Sequence, residues 1–320
     1  MAVYTPVDPD DLAGFVACYD IGTVLSCKGI AEGVENSNFL LETTGGRFIL
    51  TLYEKRVSAG DLPFFVDLLD HLAAKGCPVP AMIRDRDGTA IRQISDRAAC
   101  IIQFLPGISL THPTPGQCEA AGAALGAMHR AVADFAGSRE NSMGHRQWRG
   151  VAEATGNLDA VIPGLQATVD TELAWLDANW PVGLPTHVVH ADLFPDNALM
   201  LGERVTGLID FYFAATDFRA YDVAVTHASW TFSDDGAECD RERAGALMRG
   251  YLGEIALTPA EVAALPLLAR GASLRFLLTR AHDWVHTPAD ALVTRKDPSP
   301  FLERLRRYQT PDAADLFAAA

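Results

Sequence analysis

The stretch His190-Ala191-Asp192-Leu193-Phe194-Pro195-Asp196-Asn197, followed by Val205-Thr206-Gly207-Leu208-Ile209-Asp210-Phe211, decides how the rest of the chain is read. Asp192 and Asn197 stand five positions apart, and an apolar strand then delivers Asp210. Asp and Asn are also ordinary turn formers, and an isolated His-x-Asp would read as a polar loop as readily as a site. The complete His-x-Asp-x-x-x-x-Asn, with a hydrophobic strand ending in Asp-Phe behind it, is more specific. That equipment suits phosphoryl transfer from ATP. One carboxylate orients an acceptor hydroxyl and takes its proton, while an amide oxygen and a second carboxylate hold Mg²⁺ against the phosphates. Asp192 is then the expected catalytic residue, and Asn197 and Asp210 are the expected metal ligands.

The composition is compatible with that chemistry and excludes others. With 320 residues, 49% of them hydrophobic, the chain is too long for one ordinary core and suits two lobes. A formal net charge of −15 disfavours nucleic acid and anionic membrane surfaces as partners. ATP is also an anion, so its binding must rest on local donors and Mg²⁺. Six scattered cysteines without a Cys-x-x-Cys pair read as reduced thiols of a cytoplasmic protein, not as a disulfide framework or a zinc site. No basic and apolar leader opens the sequence, and no uninterrupted apolar run reaches the length of a membrane span.

Upstream of the motif, residues 8–20 read as a short helix. Strands are expected over 23–30, 35–43 and 47–53, with Gly45-Gly46 as the hairpin between the last two. The turn Gly29-Ile30-Ala31-Glu32-Gly33 joins the first two strands, and its glycines would let backbone N–H groups approach the phosphates of a nucleotide. A helix over 61–75 ends at Gly76. Strands near 90–94 and 98–104 follow, the second stopping at Pro106-Gly107. That stop is read as the hinge between lobes, with adenine on the backbone around Gln103 and Leu105. The fold class expected is therefore α+β: a small antiparallel-sheet lobe over 1–105, and a larger, mainly helical catalytic lobe over 106–320, in a bilobal, protein-kinase-like arrangement. In the larger lobe helices are expected over 118–132, 169–179, 223–230, 240–253, 259–268 and 270–285, with 137–150 as a surface loop. His129 is read as a packed histidine. Asp222 is read as a cap or as a partner of the catalytic-loop backbone.

With these motifs placed, the chain resembles the aminoglycoside-phosphotransferase-like kinases, and within them the homoserine kinases of many bacteria, over nearly its full length. The resemblance is carried by Gly29 to Asn38, Ile49-Leu50-Thr51-Leu52-Tyr53-Glu54, Asp61 to Phe65, His190 to Asn197, Leu208 to Ala214 and Leu274 to Leu278. It implies transfer of the ATP γ-phosphoryl group to the side-chain hydroxyl of L-homoserine, giving O-phospho-L-homoserine for threonine biosynthesis. Where a typical kinase carries a third-strand lysine on the nucleotide phosphates, this chain has Thr51. The resemblance implies that these kinases share the threonine, so Thr51 joins the nucleotide-binding set; Lys28, Lys55 or Arg56 could supply the missing charge. An amino-acid acceptor needs partners for its ammonium and carboxylate. Candidates are Asn36, Asp196, Tyr212, Asp217, Trp230, Arg275 and Arg280, with Asp222 and Asp283 also weighed. The same fold could serve choline, methylthioribose or an aminoglycoside, or act as a nucleotide-binding scaffold. Monomer and homodimer are both open.

Overall fold

A computed structural model of the protein describes residues 5–30, 36–54, 59–287 and 295–319. These residues form two compact units that divide between Pro106 and Gly107.

The first unit begins with α1 (Pro9–Val16), whose Asp8 cap accepts from the Asp10 and Asp11 N–H groups. β1 (Val24–Gly29), β2 (Asn36–Thr43) and β3 (Gly46–Tyr53) form an antiparallel meander. Period-2 alternation fixes its register: Phe39, Leu41, Leu50 and Leu52 turn to one buried face, where Phe15 and Val16 of α1 cover them. The β2–β3 turn consists of Thr44 and Gly45, because Thr43 pairs with Gly46. Gly45 is required there: a Cβ would meet the Ile21 carbonyl oxygen at 2.5 Å. α2 (Leu62–Ala74) buries Leu62, Phe65, Leu68 and Leu72, and the chain turns at Gly76 with φ +79°. β4 (Met82–Ile83), β5 (Arg92–Ile94) and β6 (Arg97–Gln103) complete a sheet of order β1-β2-β3-β6-β4, with β5 also on β6. The two-residue β4 is too short to carry a pattern, and the sequence reading omitted it.

The second unit is mainly helical. It contains α3 (Pro115–Ala131), α4 (Trp148–Thr155), α5 (Leu165–Asn179), β7 (Thr186–Val189), β8 (Ala198–Leu201), β9 (Arg204–Leu208), β10 (Ala215–Phe218), α6 (Arg219–Trp230), α7 (Arg241–Glu254), α8 (Pro259–His286) and α9 (Ser299–Tyr308). The alanine-rich α3 packs on α7 with almost no space between backbones. A Cβ on Gly122 would lie 2.0 Å from the Leu247 carbonyl oxygen, and one on Gly250 1.9 Å from that of Glu119.

Several expectations are corrected here. Residues 137–150 are not all loop, because α4 opens at Trp148, which is buried and donates its indole N–H to the Met143 carbonyl at 2.9 Å. α6 starts at Arg219, a turn earlier than expected. The two helices expected over 259–268 and 270–285 are one, α8, opened by a Thr258/Glu261 capping box. Gly271 does not punctuate α8; it makes room, since a Cβ there would meet Trp180 at 2.5 Å and Trp148 at 2.7 Å. By length and composition α8 could cross a membrane, but 61% of its most apolar window is buried inside the protein. It packs against α6, α9 and α4 as the core helix of its unit.

Candidate active site

The loop between β7 and β8 carries the motif, and its shape is imposed from beneath. Ala191 has φ +62°, the left-handed region that an alanine enters only at a cost of about 1 kcal/mol or more. Three contacts hold it there. The Asp222 carboxylate, on α6, accepts from the Ala191 N–H at 2.8 Å and the His190 N–H at 2.7 Å. The Arg275 guanidinium, on α8, donates to the Ala191 carbonyl. His190 is fully buried, with Nε2 on the Ile209 carbonyl at 2.9 Å and Nδ1 receiving the Asp192 N–H at 3.3 Å. Burial pushes its imidazole pKa down, so a neutral ring with the proton on Nε2 satisfies both bonds. Burial also pushes the Asp222 carboxyl up, but the hydrogen bond and charge of His129 and the loop N–H groups outweigh it, leaving Asp222 below the usual carboxylate range. His129 is buried between Asp222 at 3.0 Å and the Tyr251 hydroxyl at 2.9 Å. Both residues therefore have the supporting roles expected of them.

Asp192 and Asn197 are brought together. The Asn197 Nδ2 donates to the Asp192 carbonyl at 2.7 Å and lies 3.3 Å from its Oδ2. The Asp192 carboxyl keeps 18% of its surface exposed at the loop. Burial pushes its pKa up to about 8; the Arg275 charge opposes this, while Asp210 and Asp196 add to it. Asp210 follows β9 and is itself left-handed, at φ +65° and ψ +57°, which turns the chain into the short turn Phe211–Phe213. Asp192 and Asn197 are thus brought together on a strained, tightly supported loop, and Asp210 acts on Asp192 by charge.

The remaining candidates separate. Trp230 is buried, and its indole N–H donates to the Leu193 carbonyl at 2.9 Å, so it supports the loop and meets no substrate. Arg275 is buried too. Its Nη2 stands 3.9 Å from the Asp192 carboxylate, which makes it a clamp on the loop instead of a ligand for an acceptor. Asp217 accepts from the Asn141 amide at 2.6 Å and from the Phe218 N–H at 2.7 Å. Asp196 is exposed beside Lys296 at 3.3 Å, Tyr212 is half-buried in the turn after Asp210, and Arg280 is half-buried on α8.

In the first unit, Ala31, Glu32, Gly33, Lys55 and Arg56 lie outside the described residues. Gly29 ends β1, and the Ile30 N–H is bonded to the Asn38 carbonyl at 2.8 Å, so this donor is spent within the sheet. Thr51 is buried with its hydroxyl on the Asn38 amide oxygen at 2.7 Å, which removes it from the nucleotide set as the sheet stands. Asn36 is buried as well, its amide oxygen accepting from the Glu54 N–H at 3.2 Å while its Nδ2 has no partner among the described residues. The Gln103 N–H donates to the Ala81 carbonyl at 2.9 Å, and Leu105 lies two residues beyond the end of β6.

Replacing Arg275 by Met is expected to lower kcat about 10- to 100-fold, because the loop shifts by a fraction of an ångström. The acceptor KM should move little. The acid limb of the kcat profile should move to higher pH, since the cation that lowers the Asp192 pKa is gone. A KM increase at unchanged kcat would return Arg275 to the acceptor site.

A left-handed alanine held by a buried aspartate, with a carboxylate, an amide and a strand-end carboxylate above it, equips this fold for phosphoryl transfer to an alcohol. Comparison with known proteins agrees. The profile of the phosphotransferase enzyme family matches residues 26–265. A homoserine kinase of Xanthobacter autotrophicus is 51% identical over 321 residues, covering 100% of each chain. One of Nitrobacter winogradskyi is 52% identical over 310 residues, covering 97% of this chain and 95% of its own. Among solved structures, an amicoumacin kinase with AMP-PNP and Ca²⁺ superposes with a TM-score of 0.71 at 18% identity, over 98% of this chain and 95% of its own. A microcompartment-associated aminopropanol kinase gives 0.69 at 19% identity, over 98% and 100%. The chain belongs to the phosphotransferase enzyme family, and within it to the homoserine kinases.

Proposed function

We propose that the protein transfers the γ-phosphoryl group of ATP to the side-chain hydroxyl of L-homoserine. The observation that carries this reading is identity at about half of all positions, over nearly the whole chain, to homoserine kinases. The loop geometry supplies the chemistry. Asp192 orients the acceptor hydroxyl and takes its proton as the new oxygen–phosphorus bond forms, and the bond from the γ-phosphorus to the ADP oxygen breaks. Asp222 and Arg275 hold Asp192 in place, so the reaction depends mainly on positioning.

Asn197 and Asp210 fit Mg²⁺ as its protein ligands. Both offer hard oxygens, and the repulsion between Asp210 and Asp192 is relieved by a cation. When bound, Mg²⁺ would neutralise charge on the transferring phosphates. Six free thiols accord with a reducing, cytoplasmic setting.

A coupled ADP-release assay with L-homoserine, choline, methylthioribose and kanamycin tests the reading. Turnover is expected with L-homoserine at a kcat/KM at least about 10²-fold above the others. Comparable or faster turnover of another acceptor would replace homoserine. Mg-ATP binding without turnover of any acceptor would make the protein a nucleotide-binding scaffold.

A further inference from the structure

Two helices of the second unit bring guanidinium groups to one aromatic ring. The Arg280 Cζ, on α8, lies 4.5 Å from the Phe301 ring centroid, and the Arg304 Cζ, on α9, lies 4.4 Å from it. Phe301 is itself fully buried and packs 6.1 Å from Phe194, a member of the catalytic loop. The two cations therefore stand about one aromatic layer from the loop that carries Asp192.

Among the described residues neither arginine has a carboxylate within ion-pair distance. Two other arginines of this unit take a carboxylate in the bidentate manner. Arg219 bonds Glu261 at 2.5 and 2.7 Å, and Arg270 bonds Glu172 at 2.8 and 2.7 Å. Arg304 is only 8% exposed, yet its Nε is buried without a hydrogen-bond partner among the described residues, and its guanidinium lies against the faces of Phe301 and, at 5.7 Å, Phe232. Arg280 gives one N–H to the Asp297 carbonyl at 3.0 Å and keeps its other donors. The acidic turn nearest Arg304 does not supply the missing partner. Asp234 and Asp235 act on Arg304 by charge, but Asp234 lies 3.6 Å from His112, Asp235 is engaged by the Ser233 hydroxyl at 2.6 Å and the Ala237 N–H at 3.0 Å, and among the described residues no ion pair joins either to Arg304. Burying a cation without an anion is costly. Burial pushes both guanidiniums down to about 10, and the Arg304 charge presses on Arg280 as well.

We propose that Arg280 and Arg304 form the subsite that holds the carboxylate of the acceptor. The proposal rests on the homoserine reading above and deepens it. L-Homoserine carries a carboxylate about 5 Å from its reacting hydroxyl by ordinary bond lengths. Arg280 stands 4.5 Å from the Phe301 ring, which packs 6.1 Å from Phe194 of the loop that must receive that hydroxyl. A planar carboxylate matches the guanidinium fork, and the stacked Phe301 ring holds the fork in place. The same subsite would make the enzyme selective for an amino acid over the amino alcohol that lacks the carboxylate.

The test compares L-homoserine with 3-aminopropan-1-ol, which is homoserine without its carboxylate, in the full-length enzyme and in Arg280→Met and Arg304→Met. With L-homoserine, kcat/KM is expected to fall about 10²-fold in each variant, mainly through KM. With 3-aminopropan-1-ol the change should stay within about threefold, so the selectivity of the unaltered enzyme collapses. An L-homoserine KM within threefold of the unaltered enzyme, or an equal loss with both acceptors, would overturn the proposal. Should Arg304→Met fail to fold, Arg304→Lys retains the charge without the fork and is expected to raise KM about tenfold at a near-normal melting temperature; an unchanged KM there counts against the subsite. If the unaltered enzyme phosphorylates no homoserine, the functional reading has failed. The subsite is then judged by thermal stabilisation with L-2-aminobutyrate, which keeps the carboxylate: stabilisation lost in both variants supports it, and none in the unaltered protein refutes it.

Discussion

Asp192→Asn is expected to lose about 10²–10⁴-fold in kcat with L-homoserine while Mg-ATP affinity changes little. The substitution keeps the volume and removes the charge. The backbone bonds of residue 192, its N–H to the His190 ring and its carbonyl to the Asn197 amide, survive it. The loop should therefore keep its shape, and the melting temperature should stay within a few degrees. What is lost is the ability to take the hydroxyl proton. Single-turnover kinetics separate chemistry from binding, and nucleotide titration checks the affinity. Retention of near-full kcat would mean that the catalytic loop has been misidentified; a parallel loss of ATP binding would mean that Asp192 serves the nucleotide instead of the acceptor.

Much of this arrangement was legible in the sequence, and the reasons are local. The β1–β3 meander announces itself because alternation at Phe39, Leu41, Leu50 and Leu52 matches the pleat and glycine marks the turn. The proposed site is legible because Asp192, Asn197 and Asp210 lie within twenty residues. What the sequence hid is long-range or context-dependent. Nothing in an alanine signals φ +62°; that strain at Ala191 exists because residues about thirty and eighty positions away impose it. Thr51 occupies a functional position in the kinase pattern, yet its hydroxyl is consumed by a neighbouring strand. Gly271 is a packing necessity only because Trp180 and Trp148, distant in sequence, lie against it. α9 was missed altogether, although Ser299-Pro300 followed by Phe301, Leu302, Leu305 and Tyr308 has a helix start and an apolar stripe at helical spacing. Missing α9 also hid Arg304, whose significance depends on which carboxylates fail to reach it.

Asp222→Ala should be the most destabilising single change near the site, costing about 3–5 kcal/mol. The carboxylate is fully buried, and three donors converge on its two oxygens: the His190 N–H, the Ala191 N–H and the His129 ring. Truncation orphans all three in an apolar surrounding, each at a cost of about 1–3 kcal/mol before any relaxation. For a unit of this size the melting temperature should fall by about 10 °C or more. Asp222→Asn should be intermediate, because one amide N–H must then face a backbone N–H. Catalysis should fall further than stability alone explains, since Ala191 loses the bond that holds it left-handed and Asp192 moves with it. The folded Asp222 pKa lies below its unfolded value, so its contribution is present above about pH 4 and is lost as the pH falls through the folded pKa. Acid unfolding of the Asp222→Ala variant should accordingly be shallower than that of the unaltered protein below about pH 4. Calorimetry across that range measures both effects. A variant that melts within 2 °C of the unaltered protein and keeps its kcat would show that the loop is held by Arg275 and its own sequence, and not by the carboxylate beneath it.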